Sequence, residues 1–395
     1  MIWLIPTTVF VATDQHTKVN ITADVDTRLR FERRIDRDFN RTNSDNRSEL
    51  LLRVRPGVTA KLAKWSARLQ WQLAESVVWT PQRNFSATNS DATVASIMYT
   101  DGPQKVTVGR QKIGFADERL IGPLEWINLS RSMDGVRFQN ASWDVFAFRI
   151  GLAPNRPRDQ RMAGVVHNHR YGTTAYLLKT DKVGADDVTI HTLNHVWKEK
   201  VNKGFRTEIE IAGQIGKIGS RDLAAFAAHG RATWQLNAAS TVAVEANLAS
   251  GGQSAGHIKT FDNLLPTNHK FYGAMDTIGW RNMEEVTLLA THKTDPKGSI
   301  TFGWHNFWLF DATDGWYSAG GPINARAGGL YQDPTGSSGR HLGTEFDLQY
   351  SRVINPSSTL TCGIAVFQPG GFVKSFNPGA SRNQVWAYGA LTYKF

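Results

Sequence analysis

The sequence predicts an all-β protein: a transmembrane, antiparallel, up-and-down β-barrel of about 18 strands, with 16 as the other count considered. Segments in which apolar and polar residues alternate recur along all 395 residues, as in strands whose two faces meet different environments. Tight turns and long polar or glycine-rich stretches separate them, as at the two ends of such a barrel. The chain also ends on an aromatic residue, Phe395, two positions after Tyr393.

The last segment shows the alternation most clearly. Apolar residues at odd positions from Val385 to Phe395 interleave with polar ones such as Gln384 and Thr392. We expect Val385, Leu391, Tyr393 and Phe395 to face lipid, and Arg382, Gln384 and Thr392 to face the lumen. The strand should pair with the first one, near residues 21–33, and close the barrel. Its terminal aromatic residue resembles the targeting signal of bacterial outer-membrane barrels, which predicts the bacterial cell outer membrane as its location.

Composition alone leaves the class open. The mean hydropathy of −0.35 suits a soluble protein, but a barrel also has this value because only every second strand residue faces lipid. No apolar run approaches the roughly 20 residues of a membrane helix. Thirteen Trp, nine Tyr and twenty Phe suit either interfacial girdles or a carbohydrate-binding β-protein. The single cysteine, Cys362, excludes an internal disulfide.

Arginine dominates the polar strand faces in this chain of net charge +10. Rings of arginine select anions in a pore, and guanidinium pairs with carboxylates in bidentate fashion. The alternative is that lumen ion pairs only stabilise the wall. The candidate pore-lining arginines from this pattern are Arg28, Arg30, Arg53, Arg55, Arg68, Arg137, Arg149 and Arg206. Carboxylates on the same face include Glu32, Glu49, Glu208, Glu210, Glu345 and Asp347.

No catalytic, cofactor or metal motif emerges, so we expect a protein that is not an enzyme and needs no cofactor. His191 and His195 are spaced like helical metal ligands but fall on a predicted strand. Asp117, Glu118 and Glu125 crowd one loop, where they suit solvated charges, a calcium ion or a glycosidase pair. Scattered Lys and Arg without a basic run argue against nucleic acid.

The chain predicts one barrel domain, residues 21–395, preceded by a segment 1–20 that is a signal remnant or a periplasmic end. Proline and glycine place turns at Arg55-Pro56-Gly57, Asp101-Gly102-Pro103 and Asp295-Pro296-Lys297-Gly298. Long loops are expected at 34–47, 80–91, 116–132, 153–168, 251–281, 311–340 and 368–381, and loops 251–281 and 368–381 should narrow or gate the ends.

Ordered motifs from residue 20 onward resemble one family. They are Val106-Thr-Val-Gly-Arg-Gln111, Arg119-Leu-Ile-Gly-Pro123, Arg131-Ser-Met-Asp-Gly-Val-Arg137, the stretch Phe261–Gly273, Trp304-His-Asn-Phe-Trp308, Leu342-Gly-Thr-Glu-Phe-Asp347 and Phe367-Gln-Pro-Gly370. Together they resemble the alginate export family of outer-membrane barrels. The resemblance implies an eighteen-stranded monomer that passes a polyanionic uronate polysaccharide through an arginine-lined constriction. It adds Arg110 to the candidate sites, provided that a bulge near Gly109 turns its side chain inward.

These observations predict an outer-membrane channel or exporter for an anionic polysaccharide or oligosaccharide. Its expected surroundings are outer-membrane lipid and lipopolysaccharide, and an export role would add periplasmic secretion components. One alternative is a general or anion-preferring porin. Another, from a different class, is a soluble β-rich polysaccharide-binding protein or lyase. The strand Thr359-Leu-Thr-Cys-Gly-Ile364 carries no arginine, which leaves that side of the predicted pore less positive.

Overall fold

The structure is a computed structural model that describes residues 9–11, 18–152 and 159–395. Of the predicted N-terminal segment 1–20, only residues 9–11 and 18–20 are among the described residues, so the prediction of a signal remnant lies mostly outside them. The barrel begins at Val19, two positions before the expected boundary. None of the helices within these ranges is long and apolar enough to cross a membrane.

The described residues form a closed antiparallel barrel of 18 long strands, as predicted. Each strand is hydrogen-bonded to its neighbours in sequence. We number the strands β1 to β18 along the chain: Val19–Ile35, Arg47–Leu62, Trp65–Trp79, Asn84–Asp101, Gln104–Gln111, Ser132–Gln139, Trp143–Leu152, Arg161–His169, Gly172–Val183, Asp186–Lys200, Phe205–Ile218, Arg221–Gln235, Ser240–Ala249, Met283–Asp295, Gly298–Trp308, His341–Asn355, Ser358–Pro369 and Gln384–Lys394.

The last strand closes the barrel against the first. β18 pairs with β1 from Asp26↔Lys394 to Ile35↔Val385, where the terminal alternation predicted it. Leu391 is exposed on the outer wall while Gln384 is buried inside. Because each of the 18 long strands then has two hydrogen-bonded neighbours, the barrel wall that they form has no open edge.

Alternation along the strands separates an apolar outer face from a filled interior. Large apolar side chains are exposed on the outside, where lipid would cover them. Aromatic residues concentrate near the end that carries the short turns, in a row typical of a membrane interface. This row contains Trp65, Trp143, Tyr171, Trp197, Trp234 and Tyr393.

Loop lengths distinguish the two ends of the barrel. One end carries short turns, such as 102–103 and 296–297, as the Pro-Gly motifs predicted. The other end carries all the long connections, together with the tight turns 184–185 and 219–220, which identifies it as the extracellular end. Short elements within these connections are the strands His257–Ile258, Ala325–Arg326 and Gly329–Leu330, the 3-10 helix Asn268–Lys270 and the α-helix Gly371–Ser375. A further short strand, Val9–Val11, pairs with the first residues of β1 at the other end.

Three local predictions were wrong. Pro56 and Gly57 lie inside β2 rather than in a turn; Gly57 is needed because a Cβ there would lie 2.8 Å from a carboxylate oxygen of Asp24. Residues 84–91 belong to β4; both faces of this part are polar, so it lacks the alternation of a lipid-facing strand. The expected loop 153–168 is shorter because β8 begins at Arg161.

Two extracellular loops fold into the lumen and pack there. We call residues 112–131 inner loop 1 and residues 250–282 inner loop 2. Their apolar side chains, including Ile121 and Leu265, join a buried cluster with inward residues of β7 to β9 such as Phe148 and Leu177. The two loops are joined by a parallel bridge between Ile121 and Leu265. They fill one side of the lumen and leave polar space on the other.

Candidate pore constriction

Four arginines stack on the inner face of two adjacent strands. Arg28 and Arg30 of β1 lie beside Arg53 and Arg55 of β2, with Arg28 directly opposite Arg53. All four are at most 6% exposed, although four neighbouring positive charges repel one another. We call this set the arginine ladder. Its position follows from alternation, since Leu29 and Leu52 point outward.

The tip of inner loop 1, residues 125–127, relieves the repulsion among the four arginines. Arg28 donates hydrogen bonds to the carbonyl oxygens of Glu125 and Ile127, both at 3.1 Å. Arg53 donates to the Glu125 carbonyl at 2.8 Å, and Arg30 to that of Trp126. The ladder therefore holds a backbone segment in the lumen by charge-assisted hydrogen bonds. The sequence predicted arginines that line the pore, with pairing within the wall as the alternative; the structure shows that each of the four guanidinium groups contacts this loop.

A carboxylate supplies the counter-charge at the same place. The Glu125 side chain contacts Arg55 and accepts from Lys112 at 2.9 Å. Partial burial alone would raise the pKa of the Glu125 carboxyl, but Lys112 and Arg55 lower this pKa to about 2. Glu125 is thus ionised at every pH that the outer membrane normally meets, and the contact does not act as a pH switch.

Trp126 forms the apolar part of the constriction. Its ring stacks on His269 of inner loop 2 at 3.8 Å between centroids and meets Tyr388 of β18 edge-on at 5.0 Å. The guanidinium of Arg30 lies 4.2 Å from its ring centroid, within cation–π range. Residues from both inner loops and the barrel wall therefore meet at one aromatic ring.

Arg119 anchors inner loop 1 to the opposite wall. This side chain is 1% exposed and lies 3.0 Å from Asp117 and 2.8 Å from Glu245 of β13. It also donates to the hydroxyl of Tyr272 in inner loop 2 at 3.2 Å. One guanidinium therefore ties both inner loops to the barrel and neutralises buried carboxylates.

Glu345 and Asp347 of β16 anchor inner loop 2. Glu345 accepts the backbone N–H of Met275 at 2.9 Å, and Asp347 accepts that of Ala274 at 3.0 Å. Gly273 has φ +78°, and a Cβ there would lie 2.5 Å from a Glu345 oxygen. The chain can pass this close to the carboxylate only with glycine.

Two connected spaces lie on the extracellular side of the ladder. A cavity of about 590 Å³ is lined by Glu32, Arg34 and Asp276, among others. A second, of about 550 Å³, reaches from Asp276 to Trp126 and His269. In the first cavity Glu32 also pairs with Arg30 at 2.6 Å. Acidic and basic side chains are mixed there, so this vestibule has no strong preference for either sign.

The opposite, periplasmic end of the lumen is basic. A cavity of about 510 Å³ is lined there by Lys198, Lys200, Arg206 and Arg231, which we call the mouth cluster. Glu208 faces the same space and pairs with Lys198 at 3.1 Å. Arg206 therefore lies in the lumen, as predicted.

Two further predicted lumen arginines are inside the barrel and paired. Arg68 binds Asp24 through two hydrogen bonds of 2.7 and 2.9 Å. Arg137 binds Asp144, with its Nε 2.8 Å from the carboxylate. Both pairs lie near the periplasmic end. For these two residues they support the alternative interpretation, in which lumen ion pairs stabilise the barrel wall.

Arg149 and Arg110 do not line the lumen, contrary to prediction. Arg149 is 55% exposed while its neighbours Phe148 and Ile150 are buried inside. The interior is apolar there because the inner loops pack against it, so the polar residue takes the outer face. Arg110 follows the exposed Val108, and its register continues through Gly109 without a bulge. It pairs with Asp134 at 2.7 Å and Asp91 at 3.0 Å.

Arg119, Arg131 and Trp126 are site residues that sequence reasoning did not select. Arg131 donates to the carbonyl oxygens of Gly122 and Leu265 and so joins the inner loops. All three lie in or beside the quoted motifs, which was the available signal. Within residues 18–152 and 159–395, no three or more His, Cys, Asp or Glu side chains are grouped to hold a metal ion.

The barrel is similar to solved outer-membrane proteins of Pseudomonas aeruginosa. OccK5 (OpdH) superposes with a TM-score of 0.63 at 11% identity, over 95% of this chain and 98% of that one. OprD gives 0.61 at 9% identity, over 95% and 93%; OpdO gives 0.60 at 13%, over 95% and 97%. These identities establish the fold alone. The comparison with curated proteins finds no match.

The family comparison covers nearly the whole sequence. The profile described as "Alginate export" matches residues 19–388, from the first barrel residue into β18. The ordered motifs and the barrel architecture agree with this match. The protein is therefore an outer-membrane channel, located in the bacterial outer membrane, and the chain belongs to the alginate export family.

Proposed function

We propose that this channel prefers anions and passively conducts carboxylate-bearing sugars of the uronate type. The mouth cluster carries the proposal: four basic side chains surround one cavity, which two carboxylates, those of Glu199 and Glu208, also line. Such a cluster raises the local concentration of anions at the periplasmic end. Permanently charged guanidinium groups also match carboxylates in geometry.

The arginine ladder supports the same preference at the narrowest level. Its guanidinium groups lie behind the loop tip, and the buried Nε atoms of Arg28 and Arg53 lack a hydrogen-bond partner among the described residues, whereas the Nε of Arg30 pairs with Glu32. A solute carboxylate or water near these atoms would satisfy them. The four arginines and Lys112 face three carboxylates, those of Glu125, Glu32 and Asp26, so the constriction keeps a positive excess.

The chain offers a direct test of charge at the mouth. We expect Lys200→Gln with Arg206→Gln to lower the anion-to-cation permeability ratio at least about twofold in dilute salt, because an exposed unit charge is worth up to about 1 kcal/mol. The effect should shrink in 1 M KCl, where the Debye length is about 3 Å. Reversal potentials in planar bilayers measure the permeability ratio at both salt concentrations. Block of the current by oligouronates tests the substrate class.

The matched control removes two positive charges from the outside. Lys182 and Lys217 are exposed on the outer face, so Lys182→Gln with Lys217→Gln should leave the reversal potential unchanged. A wild-type channel that selects cations and is not blocked by oligouronates would overturn the proposal.

Trp126→Ala tests the constriction itself. We expect a higher single-channel conductance, because truncation removes the ring that meets His269 and Tyr388. The ion preference should persist, since the arginine ladder is unchanged. Trp308→Ala is the control; its partly exposed indole lies away from the constriction, beside His341. Equal conductance of Trp126→Ala and wild type would show that another part of the lumen limits flow.

Export of an intact polyuronate is the second candidate, and the family match favours it. The inner loops narrow the lumen, so a polymer would need them to swing away from the wall. Such a role would require periplasmic secretion components to deliver the chain and, by the same family likeness, a monomeric barrel. Measurable passage of long polyuronates only when inner loop 1 is released would favour this candidate.

A further inference from the structure

The barrel wall is shorter along the membrane normal on one side, and we call this side the low wall. Strands β5 to β8 have 8, 8, 10 and 9 residues, whereas the adjoining β4 has 18. Trp143 of the interfacial row and Arg149 are six positions apart on β7. A tilted strand rises only about 15 Å over that span, compared with an apolar band of about 25 Å in such barrels. Polar groups of the extracellular leaflet must therefore come closer to the membrane centre here.

Two arginines mark the upper limit of this low wall. Arg149 of β7 lies directly opposite Arg161 of β8, and both are exposed on the outer face. Like charges directly opposite on neighbouring strands destabilise a sheet. The carboxylate of Asp159 is 3.6 Å from Arg149, and both side chains are more than half exposed, so solvent screens this ion pair.

A shallow groove begins at the same arginines. It has a volume of about 350 Å³ and is lined by Ala147, Ala163 and Leu178 on three adjacent strands, with Arg149 and Arg161 at its edge. The carboxylate of Asp134 also reaches this edge, where it is bound by Arg110. The two alanines leave room between larger outer-face residues. An apolar groove that ends at paired guanidinium groups is complementary to an acyl chain attached to a phosphorylated head group.

We propose that this face binds a phosphorylated lipid of the extracellular leaflet, the lipid A part of lipopolysaccharide, with a phosphate between Arg149 and Arg161. The phosphate would remove the repulsion between the two arginines, and an acyl chain would occupy the groove. The low apolar wall places the lipid head group at this depth. The site is on the outside of the barrel and is independent of the conducted solute.

Native mass spectrometry of the detergent-purified full chain tests this site. Bisphosphorylated lipid A is titrated in parallel with chemically dephosphorylated lipid A. We expect the bisphosphorylated form to be retained, and Arg149→Gln with Arg161→Gln to weaken its retention about tenfold or more, the effect of losing charge-assisted hydrogen bonds. Both arginines are surface residues, so the variant should fold and show the same heat-modifiable mobility in gels.

Lys182→Gln with Lys217→Gln is again the matched control, because it removes two outer-face charges outside the groove. It should retain bisphosphorylated lipid A like the wild type. Equal retention by Arg149→Gln with Arg161→Gln, or equal retention of dephosphorylated lipid A, would overturn the proposal. Ion selectivity should be unchanged in the arginine variant, so this test and that of the proposed conduction can fail separately.

Discussion

Arg119→Met should release inner loop 1 and raise the single-channel conductance. Methionine keeps most of the side-chain volume but removes the charge that neutralises Asp117 and Glu245. Breaking a buried ion pair from one side costs about 3–5 kcal/mol. That cost falls on loop docking, because the partners belong to the loop and to the barrel wall. Planar-bilayer recording measures the conductance, and limited trypsin digestion measures exposure of the loop.

Lys270→Met is the control for this prediction. Lys270 pairs with Glu118 between the same two loops, but it is 49% exposed, and exposed pairs contribute about 0–1 kcal/mol. Its conductance and trypsin resistance should stay close to wild type. The barrel of both variants should keep its heat-modifiable mobility, since strand pairing is unaffected. An Arg119→Met channel with wild-type conductance and a protected loop would contradict the anchoring role.

Gly273→Ala should detach inner loop 2 from β16. A non-glycine residue in the left-handed region costs about 1–2 kcal/mol, and the new Cβ would meet the Glu345 carboxylate at 2.5 Å. The Glu345 side chain must then move and lose its hydrogen bond to Met275, a contact of about 1 kcal/mol. We expect a larger, noisier current and faster backbone hydrogen exchange in residues 266–277.

Gly256→Ala provides the comparison within the same loop. A Cβ at Gly256 has no atom within 4 Å, so this substitution should leave current and exchange unchanged. If Gly273→Ala behaves like Gly256→Ala, the contact with Glu345 does not hold the loop.

Both predictions follow from one property of the lumen: its charged residues mainly hold loops. The arginine ladder binds backbone carbonyl oxygens of inner loop 1, and Glu345 with Asp347 binds backbone N–H groups of inner loop 2. Such contacts leave the pore with fewer free charges than the sequence implies. Selectivity then depends on groups that face open space, above all the mouth cluster.

The sequence correctly predicted which strand residues face the lumen wherever the inner wall is polar. Alternation directly predicts that Leu29 and Leu52 point outward and that Arg28 and Arg53 point inward. The rule fails on β7, where Phe148 points inward and Arg149 outward. The polarity of a strand residue predicts which face of the barrel it occupies only where the lumen is filled with water. On this side the inner loops make it a packed apolar core.

The sequence by itself determined the barrel, its closure between the last strand and the first, and its membrane, and it limited the number of strands to 16 or 18. These depend on local alternation and turn chemistry, which each segment carries within itself. Only the tertiary structure decided what fills the lumen. Arg28 meets the Glu125 carbonyl across 97 positions of sequence, and no local pattern encodes such a contact. The constriction depends on where two loops fold, and that was settled by apolar packing and by neutralisation of buried charge.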